Sequence, residues 1–349
     1  MSQGPIADTI ARVEAELAHF WATPDESDGV PVTKTRASTL TYVAIGNEAE
    51  VQRLEEQAEA LAETHAGRSF LLTVDGHVPP WEVQAEWSAT CRRDGEVPIC
   101  RDRVELRFGV AAAERSASVV TALALSDVPL VVEVASGAPS AVADALAAVC
   151  DRLIVDSAEL APARIAELAR KGRGSLADRA VVRTHSWRDL VARFFDEVPG
   201  AIRAIRRVEI ARSSGPKPDP AALFLGWIGS RLGWTFEARD RARDAAGQAV
   251  TLAVTDADPA HDEPSGRRRI EAVHLWTELG GAPLALTCAR TPEAPDAVVW
   301  TMAGARSTAH VHPLGRRDET WVLSKAIDAS EGDRATREAS LAAAAWSGL

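Results

Sequence analysis

Lysine is nearly missing from this sequence. It occurs at Lys34, Lys171, Lys217 and Lys325 only, so the 39 basic residues less these four leave 35 arginines. Against them stand 50 acidic residues, giving a formal charge of −11. A chain of that sign is repelled by a phosphate backbone unless a local basic patch intervenes, so neither nucleic acid nor an anionic membrane is an expected partner. Cysteine is scarce too. Cys91, Cys100, Cys150 and Cys288 form no CxxC pair and no metal-ligand spacing, and they read as reduced thiols of a cytoplasmic protein. No apolar run approaches the roughly 20 residues that cross a bilayer. The opening residues, MSQGPIADTIARVEAELAHFW, carry acidic side chains where a signal peptide needs a basic start and a continuous apolar core. A cytoplasmic location is the expectation.

The motifs of common enzymes are also missing. There is no GxGxxG after a strand, no GxxxxGK[ST], no GxSxG and no HExxH. KGRGS at Lys171 follows a helical pattern instead of leading from a strand into one, so it reads as a helix exit. His310 and His312 share one strand face, with His274 on another strand, but a metal site needs further ligands and none is expected. Cys91 and Cys100 lie on consecutive strand segments and could face each other across a hairpin, where a disulfide would be a redox switch; by the compartment argument they are expected to stay reduced. Arg267, Arg268 and Arg269 sit in the polar run HDEPSGRRRIEA, which reads as a solvated hairpin tip. Arg152 and Asp156 bracket a short apolar strand, DRLIVDS. They are expected to serve structure, with a ligand crevice at the sheet edge near Arg152, for a sugar phosphate or nucleotide, as the alternative. No catalytic residue, metal or cofactor is assigned.

What is present is organisation. The 349 residues, 46% hydrophobic and 26% charged, suit two ordinary globular domains. Ile10, Val13, Leu17 and Phe20 recur at helical spacing. Asn47 and Glu50 are placed for a capping box ahead of a helix bearing Val51, Leu54, Ala58 and Leu61. Strands and helices then alternate as far as about Ala180, which predicts an α/β fold: an N-terminal mixed α/β sheet domain over residues 1–184. Residues 185–349 read as an α+β domain. SWRDLVARFFDE is a helix with Trp187, Leu190, Val191 and Phe194 on its apolar side. Five later segments from QAVTLAVTDA to STAHVHPLG predict an antiparallel meander, closed by two helices.

One helix carries an unusual run, GWIGSRLGW at Gly226–Trp234. Asp219 is its expected N-cap and Pro220 its first residue. On a helical wheel Gly226, Gly229, Ser230 and Gly233 form a small-residue stripe, while Trp227 and Trp234 lie side by side. Interior glycines each cost about 1 kcal/mol relative to alanine, so the stripe implies close approach by another backbone. Arg231 is the only charge there. Either the helix is an internal junction, or Trp227, Arg231 and Trp234 reach a partner.

FLGWIGSRLGW after Pro-Asp-Pro, DRLIVDSAEL, HSWRDLVARFFDE and ASVVTALALSDVPLVVEV, in that set and in order, resemble the OpcA family of glucose-6-phosphate dehydrogenase assembly proteins. The resemblance runs from about Thr35 to about Trp276. It implies a non-catalytic companion that binds glucose-6-phosphate dehydrogenase, promotes its active oligomer and supports NADPH supply through the oxidative pentose phosphate pathway. The matching positions are Arg152, Asp156, Trp187, Arg188, Phe195, Asp196 and Gly226 to Trp234, as partner contacts or as supports of the fold. The chain departs from the family after Asp127-Val128-Pro129, where LVVEV replaces an aromatic segment. None of its cysteines matches a regulatory pair.

Overall fold

In a computed structural model of the chain, residues 5–349 are described except 28–29, 33, 37, 95–96, 259–266, 292, 304–307, 315–316 and 330–332. The protein is mixed α/β and forms two compact units. The first comprises Met1–Val155, Arg170–Leu176 and Glu319–Asp328, and the second Asp156–Ala169, Ala177–Asp318 and Ala329–Leu349. These units interleave along the chain, whereas a boundary after residue 184 would divide it once.

The first unit begins with α1 (Pro5–Ala22), which buries Val13 and Leu17. The polar stretch that follows holds a short ribbon of β1 (Asp25–Ser27) and β2 (Val30–Val32) and a two-residue β3 (Thr35–Arg36). The sheet is built from β4 (Leu40–Ile45), β5 (Gly67–Val74), β6 (Val83–Asp94), β7 (Val97–Phe108), β8 (Leu130–Val134), β9 (Arg152–Val155) and β10 (Ser175–Asp178). Between them along the chain come α2 (Val51–Leu61), α3 (Ser116–Leu123) and α4 (Ser140–Ala147), and also α5 (Pro162–Lys171), whose residues up to Ala169 belong to the second unit.

Strands β7, β5, β4, β8, β9 and β10 stand side by side in that order, and the pairs from β7 to β9 are parallel. Every residue of β4 and β8 is buried, as strands covered on both faces require. Counted along the chain, the six strands read third, second, first, fourth, fifth, sixth. That is the order of the doubly wound dinucleotide-binding fold, whose topological switch point falls here between β4 and β8.

β6 is an antiparallel addition on β7, and its register sets Cys91 directly opposite Cys100. The two are joined as a disulfide, which corrects the expectation of four reduced thiols. Hairpin pairing alone brings these side chains together, something spacing in sequence does not fix. Cys150 and Cys288 are free and buried.

The second unit carries α6 (Arg179–Arg183), α7 (His185–Glu197), β11 (Arg207–Ser213), α8 (Pro220–Leu232), β12 (Thr235–Ala238), β13 (Arg241–Arg243), β14 (Ala249–Ala257), β15 (Ile270–Leu279), β16 (Ala282–Thr291), β17 (Ala294–Ala303) and β18 (Thr308–Pro313), followed by a helix at Asp333–Ser347. Its sheet order is β12-β13-β14-β11-β15-β16-β17-β18. The meander expected from β14 onward is therefore shorter by one strand. β11 lies between β14 and β15, parallel to the first and antiparallel to the second. The reason is that α8 acts as a crossover, which lets β14 return parallel to β11. Alternate residues of the sheet, among them Val208, Ile210, Val273, Leu275, Leu286 and Trp300, join the core formed with α7 and α8.

α8 begins as its sequence dictates. Asp219 accepts a hydrogen bond from the Ala221 amide, and Pro220 occupies the first turn. Its end differs from the expectation. Gly233 takes the left-handed conformation at φ 67°, its N–H donates to the Gly229 carbonyl, and the helix stops at Leu232. Gly233 is thus a cap and not part of a stripe, and Trp234 leaves the helix instead of flanking Trp227. Gly226 faces the Asp333–Ser347 helix: a methyl group there would sit 2.3 Å from the Ala339 carbonyl oxygen and 2.7 Å from the Ala343 nitrogen. At Gly229 the neighbour is the tip of the Phe236 ring.

Candidate functional site

In an open α/β sheet, ligands bind outside the carboxyl ends of the strands at the switch point. Here β4 ends in Gly46-Asn47-Glu48-Ala49-Glu50, and β8 is followed by Ala135-Ser136-Gly137. Asn47 and Glu50 form the expected capping box, around a short 3-10 turn (Glu48–Glu50) that leads into α2. The Glu50 carboxylate does more than cap. It accepts hydrogen bonds from the Asn47 amide at 3.0 Å, the Ser136 hydroxyl at 2.8 Å and the Gly137 amide at 3.1 and 3.2 Å. The Glu50 amide in turn donates to Asn47 Oδ1 at 3.1 Å.

A nicotinamide dinucleotide, which this strand order implies, needs glycines in that turn and free amides toward its pyrophosphate. One glycine, Gly46, is present, and the amides of Asn47, Glu50 and Gly137 are already engaged. Gly137 approaches so closely that an added methyl would lie 2.0 Å from Asn47 Nδ2. The residues present do not fit the cofactor.

The residues singled out from the sequence fall into separate places. Arg152 sits at the amino end of β9, the end opposite to that which takes ligands, and donates to the Ala326 carbonyl at 3.2 Å. β9 lies inside the sheet rather than at its edge, which removes the geometry behind the alternative of a ligand beside Arg152.

Asp156 is buried and clasped by Arg183 through bonds of 2.9 and 2.7 Å. Burial alone would raise its pKa, but Arg183, aided by Arg179 and Arg267, overcomes that and holds the carboxyl below its ordinary value. Asp178, which the sequence reading passed over, caps α6 and accepts from the amides of Ser157 and Ala180 at 3.1 and 2.9 Å. Its other oxygen has no hydrogen-bond partner among the described residues. Burial, reinforced by the negative charge of Asp156, pushes its pKa up to about 6. Arg188 donates to the Val181 carbonyl at 2.6 Å and lies over the Trp227 ring at 5.8 Å. Burial pulls its pKa down while Asp178 opposes the shift. Asp156, Arg188 and Trp227 thus belong to one internal cluster, completed by Asp178 and Arg183. No pattern in the sequence announced the ion pair, which joins residues 27 apart along the chain.

Trp187 is buried in the core and Arg290 lies over its ring at 5.6 Å. Phe195 is buried against Phe194, while Asp196 is exposed. Arg267, Arg268 and Arg269 are half-buried, not a solvated tip: Arg267 pairs with Glu159 at 3.0 Å, and the amide of Arg269 donates to Ser213 Oγ at 2.9 Å. Residues 261–266 of that run lie outside the described residues. His310 packs on Trp300, and His274 Nδ1 bonds Thr287 Oγ1 at 3.0 Å.

At the exit of α8 the surface opens. A cleft of about 600 Å³ is lined by Ile202, Ile205, Leu232 and Trp234, with Arg203, Arg231 and Asp244 among its polar residues. The Arg231 side chain is 45% exposed, and its nearest acid is Glu338 at 3.9 Å. Arg203 is exposed and makes no ion pair among the described residues. Asp244 is occupied by its own turn, accepting from the amides of Ala246 and Gln248 at 2.9 and 2.8 Å. Tryptophan and arginine side by side on an accessible concave surface are the residue types that dominate protein–protein binding energy.

Fold and site together define a chain with a doubly wound sheet, in which Glu50 is bonded across the switch point, and with an accessible aromatic–arginine cleft in its second unit. Two family models match it in succession. Residues 58–173 match the N-terminal domain, and residues 175–340 the C-terminal domain, of the glucose-6-phosphate dehydrogenase subunit family OpcA. The chain belongs to that family. It is 34% identical over 164 residues to a protein of Nostoc punctiforme provisionally named OxPP cycle protein OpcA, covering 44% of this chain and 35% of that one. A Synechocystis protein of the same name is 32% identical over 165 residues, covering 44% of this chain and 34% of the relative. The match thus spans about a third of the length of these relatives. Among solved structures, the chain is similar to the 3-ketoreductase KijD10 of Actinomadura kijaniata bound to NADP and TDP-benzene, with a TM-score of 0.48 and 12% identity over 89% of this chain and 97% of that one.

Proposed function

We propose that the protein is a non-catalytic assembly factor and allosteric activator of glucose-6-phosphate dehydrogenase. The observation that carries this reading is the succession of two family models, both described as domains of a glucose-6-phosphate dehydrogenase subunit, across residues 58–340. Activation follows when the protein binds the competent conformation or oligomer of the enzyme more tightly than the incompetent one, because only differential affinity shifts such an equilibrium. The consequence is a larger supply of NADPH from the oxidative pentose phosphate pathway, in the cytoplasm. No helix among the described residues is long and apolar enough to cross a membrane.

The contact we favour is the cleft at the end of α8. Trp234 and Leu232 offer an apolar anchor, while Arg203 and Arg231 set a positive edge on a chain whose overall charge is −11. An acidic, partly apolar segment of the dehydrogenase complements it. The test mixes the purified protein with glucose-6-phosphate dehydrogenase, follows NADPH production, and measures the mass of any complex. A heavier species together with a faster rate supports the reading. Unchanged rate and no complex would refute it.

A further inference from the structure

The switch-point crevice holds more than an unused fold feature. We propose that it is a dinucleotide site closed from within, in which the Glu50 carboxylate stands where a pyrophosphate would lie, so that the chain binds no nicotinamide dinucleotide. In the doubly wound fold the pyrophosphate rests on the turn after the first strand and on the amino end of the helix that follows it. That turn is Gly46–Glu50 here, and its helix is α2. The donors that would meet phosphate oxygens are the ones Glu50 consumes: the Asn47 amide from the first strand's loop, and Ser136 Oγ with the Gly137 amide from the loop across the switch point.

Three further features agree. Only 14% of the Glu50 side chain is exposed, so the carboxylate is set into the crevice rather than lying over it. The two loops meet through side chains: a methyl at Gly137 would lie 2.0 Å from Asn47 Nδ2 and 2.6 Å from Glu50 Oε2, so these side-chain tips fill the space between them. Beyond the carboxyl end of β5, where the adenosine half of a dinucleotide would continue, a cavity of about 380 Å³ is walled by Glu48, Glu55, Asp75 and Glu105 against Arg107 and the Arg103 guanidinium that pairs with Glu55 and Glu105, which leaves acids in excess. A wall of that sign repels a nucleotide's phosphates. The carboxylate therefore takes over the work of a ligand: it fixes the two loops to each other and satisfies their amides without a cofactor.

The inference does not depend on the dehydrogenase complex, and its test needs none. The intact protein is titrated with NADPH, following nicotinamide fluorescence excited by energy transfer from tryptophan, and with inorganic pyrophosphate, following the melting temperature. The native chain is expected to give no binding signal and no shift with either probe. In Glu50→Ala the freed amides are expected to accept pyrophosphate, raising the variant's melting temperature by a few degrees when the anion is in large excess of its Kd. Glu50→Gln keeps the side chain in place without its charge and is expected to respond less than the alanine variant. NADPH binding by the native chain overturns the proposal whatever the variants do. A folded Glu50→Ala that ignores pyrophosphate overturns the assignment of Glu50 to the phosphate position.

Discussion

Replacing Gly226 by alanine puts a number on the packing of α8 against the Asp333–Ser347 helix. The added methyl lies 2.3 Å from the Ala339 carbonyl oxygen, 2.7 Å from the Ala343 nitrogen and 2.9 Å from its Cβ. A carbon and a carbonyl oxygen settle at roughly 3.3 Å or more, so the helices must part by about 1 Å. What obstructs is backbone on both sides, which cannot rotate away, and overpacking of this kind costs up to about 3 kcal/mol. Alanine's better helix propensity returns about 1 kcal/mol. The balance is a loss of about 2 kcal/mol for Gly226→Ala. Gly229→Ala is the control. Its methyl meets the Phe236 ring tip at 2.7 Å, and a ring on a half-buried side chain can swing aside. Propensity then decides, and the variant is expected to be unchanged or stabilised by up to about 1 kcal/mol. Urea unfolding followed by tryptophan fluorescence reads both, since Trp227 and Trp346 lie on the two helices. The denaturant slope should not change, so the midpoint carries the effect. A Gly226→Ala variant as stable as Gly229→Ala would refute the close backbone approach as the reason for glycine.

Other expectations follow from the charged cluster and the cleft. Asp178 has a folded pKa of about 6 against an ordinary value of 3.8, so the native state holds a proton that the unfolded chain releases first. Stability is therefore fullest below the unfolded value and falls as pH rises through about 6, by roughly 3 kcal/mol at most. Asp178→Asn should remove that slope and be the more stable protein at pH 8 by thermal unfolding. Asp156 shifts the other way, and its contribution is lost as pH falls through its depressed value. Arg183→Ala leaves that buried carboxylate unpaired and should cost about 3 kcal/mol or more in denaturant titration. Trp234→Ala should fold and yet weaken dehydrogenase binding about thirtyfold in a calorimetric titration, as a hot-spot truncation does. Arg231→Ala should also fold, because its one nearby acid is 3.9 Å away on the surface, but should activate less. Burial pushes the Cys150 and Cys288 thiols to about 12, so neither should be alkylated at pH 8 until the chain unfolds.

The local signals in the sequence translated directly. Asn47 and Glu50 form their capping box and Asp219 caps α8, because each satisfies orphan amides one turn away. The alternation of strands and helices up to about Ala180 likewise announced a mixed α/β sheet. Long-range pairings did not announce themselves. The insertion of β11 between β14 and β15 depends on a crossover; at shorter range, the choice between reduced thiols and a disulfide at Cys91 and Cys100 depended on hairpin register. Glu50 shows both cases in one residue. Its cap was legible from a three-residue spacing, while its bonds to Ser136 and Gly137 link positions more than eighty residues apart in sequence.

By itself, then, the sequence determined the main helices and strands, the caps that start α2 and α8, and the motifs that resemble the OpcA family. All of these rest on contacts within a few residues, whose geometry the backbone imposes. Only the tertiary structure decided which groups spend their hydrogen bonds on one another. It turned the carboxylate of Glu50 into the filling of a crevice, drew Asp156, Arg188 and Trp227 into one internal cluster, and split GWIGSRLGW between a tight helix junction at Gly226 and an open face at Arg231 and Trp234. Burial and pairing are properties of neighbours in space, and the spacing of residues along the chain does not contain them.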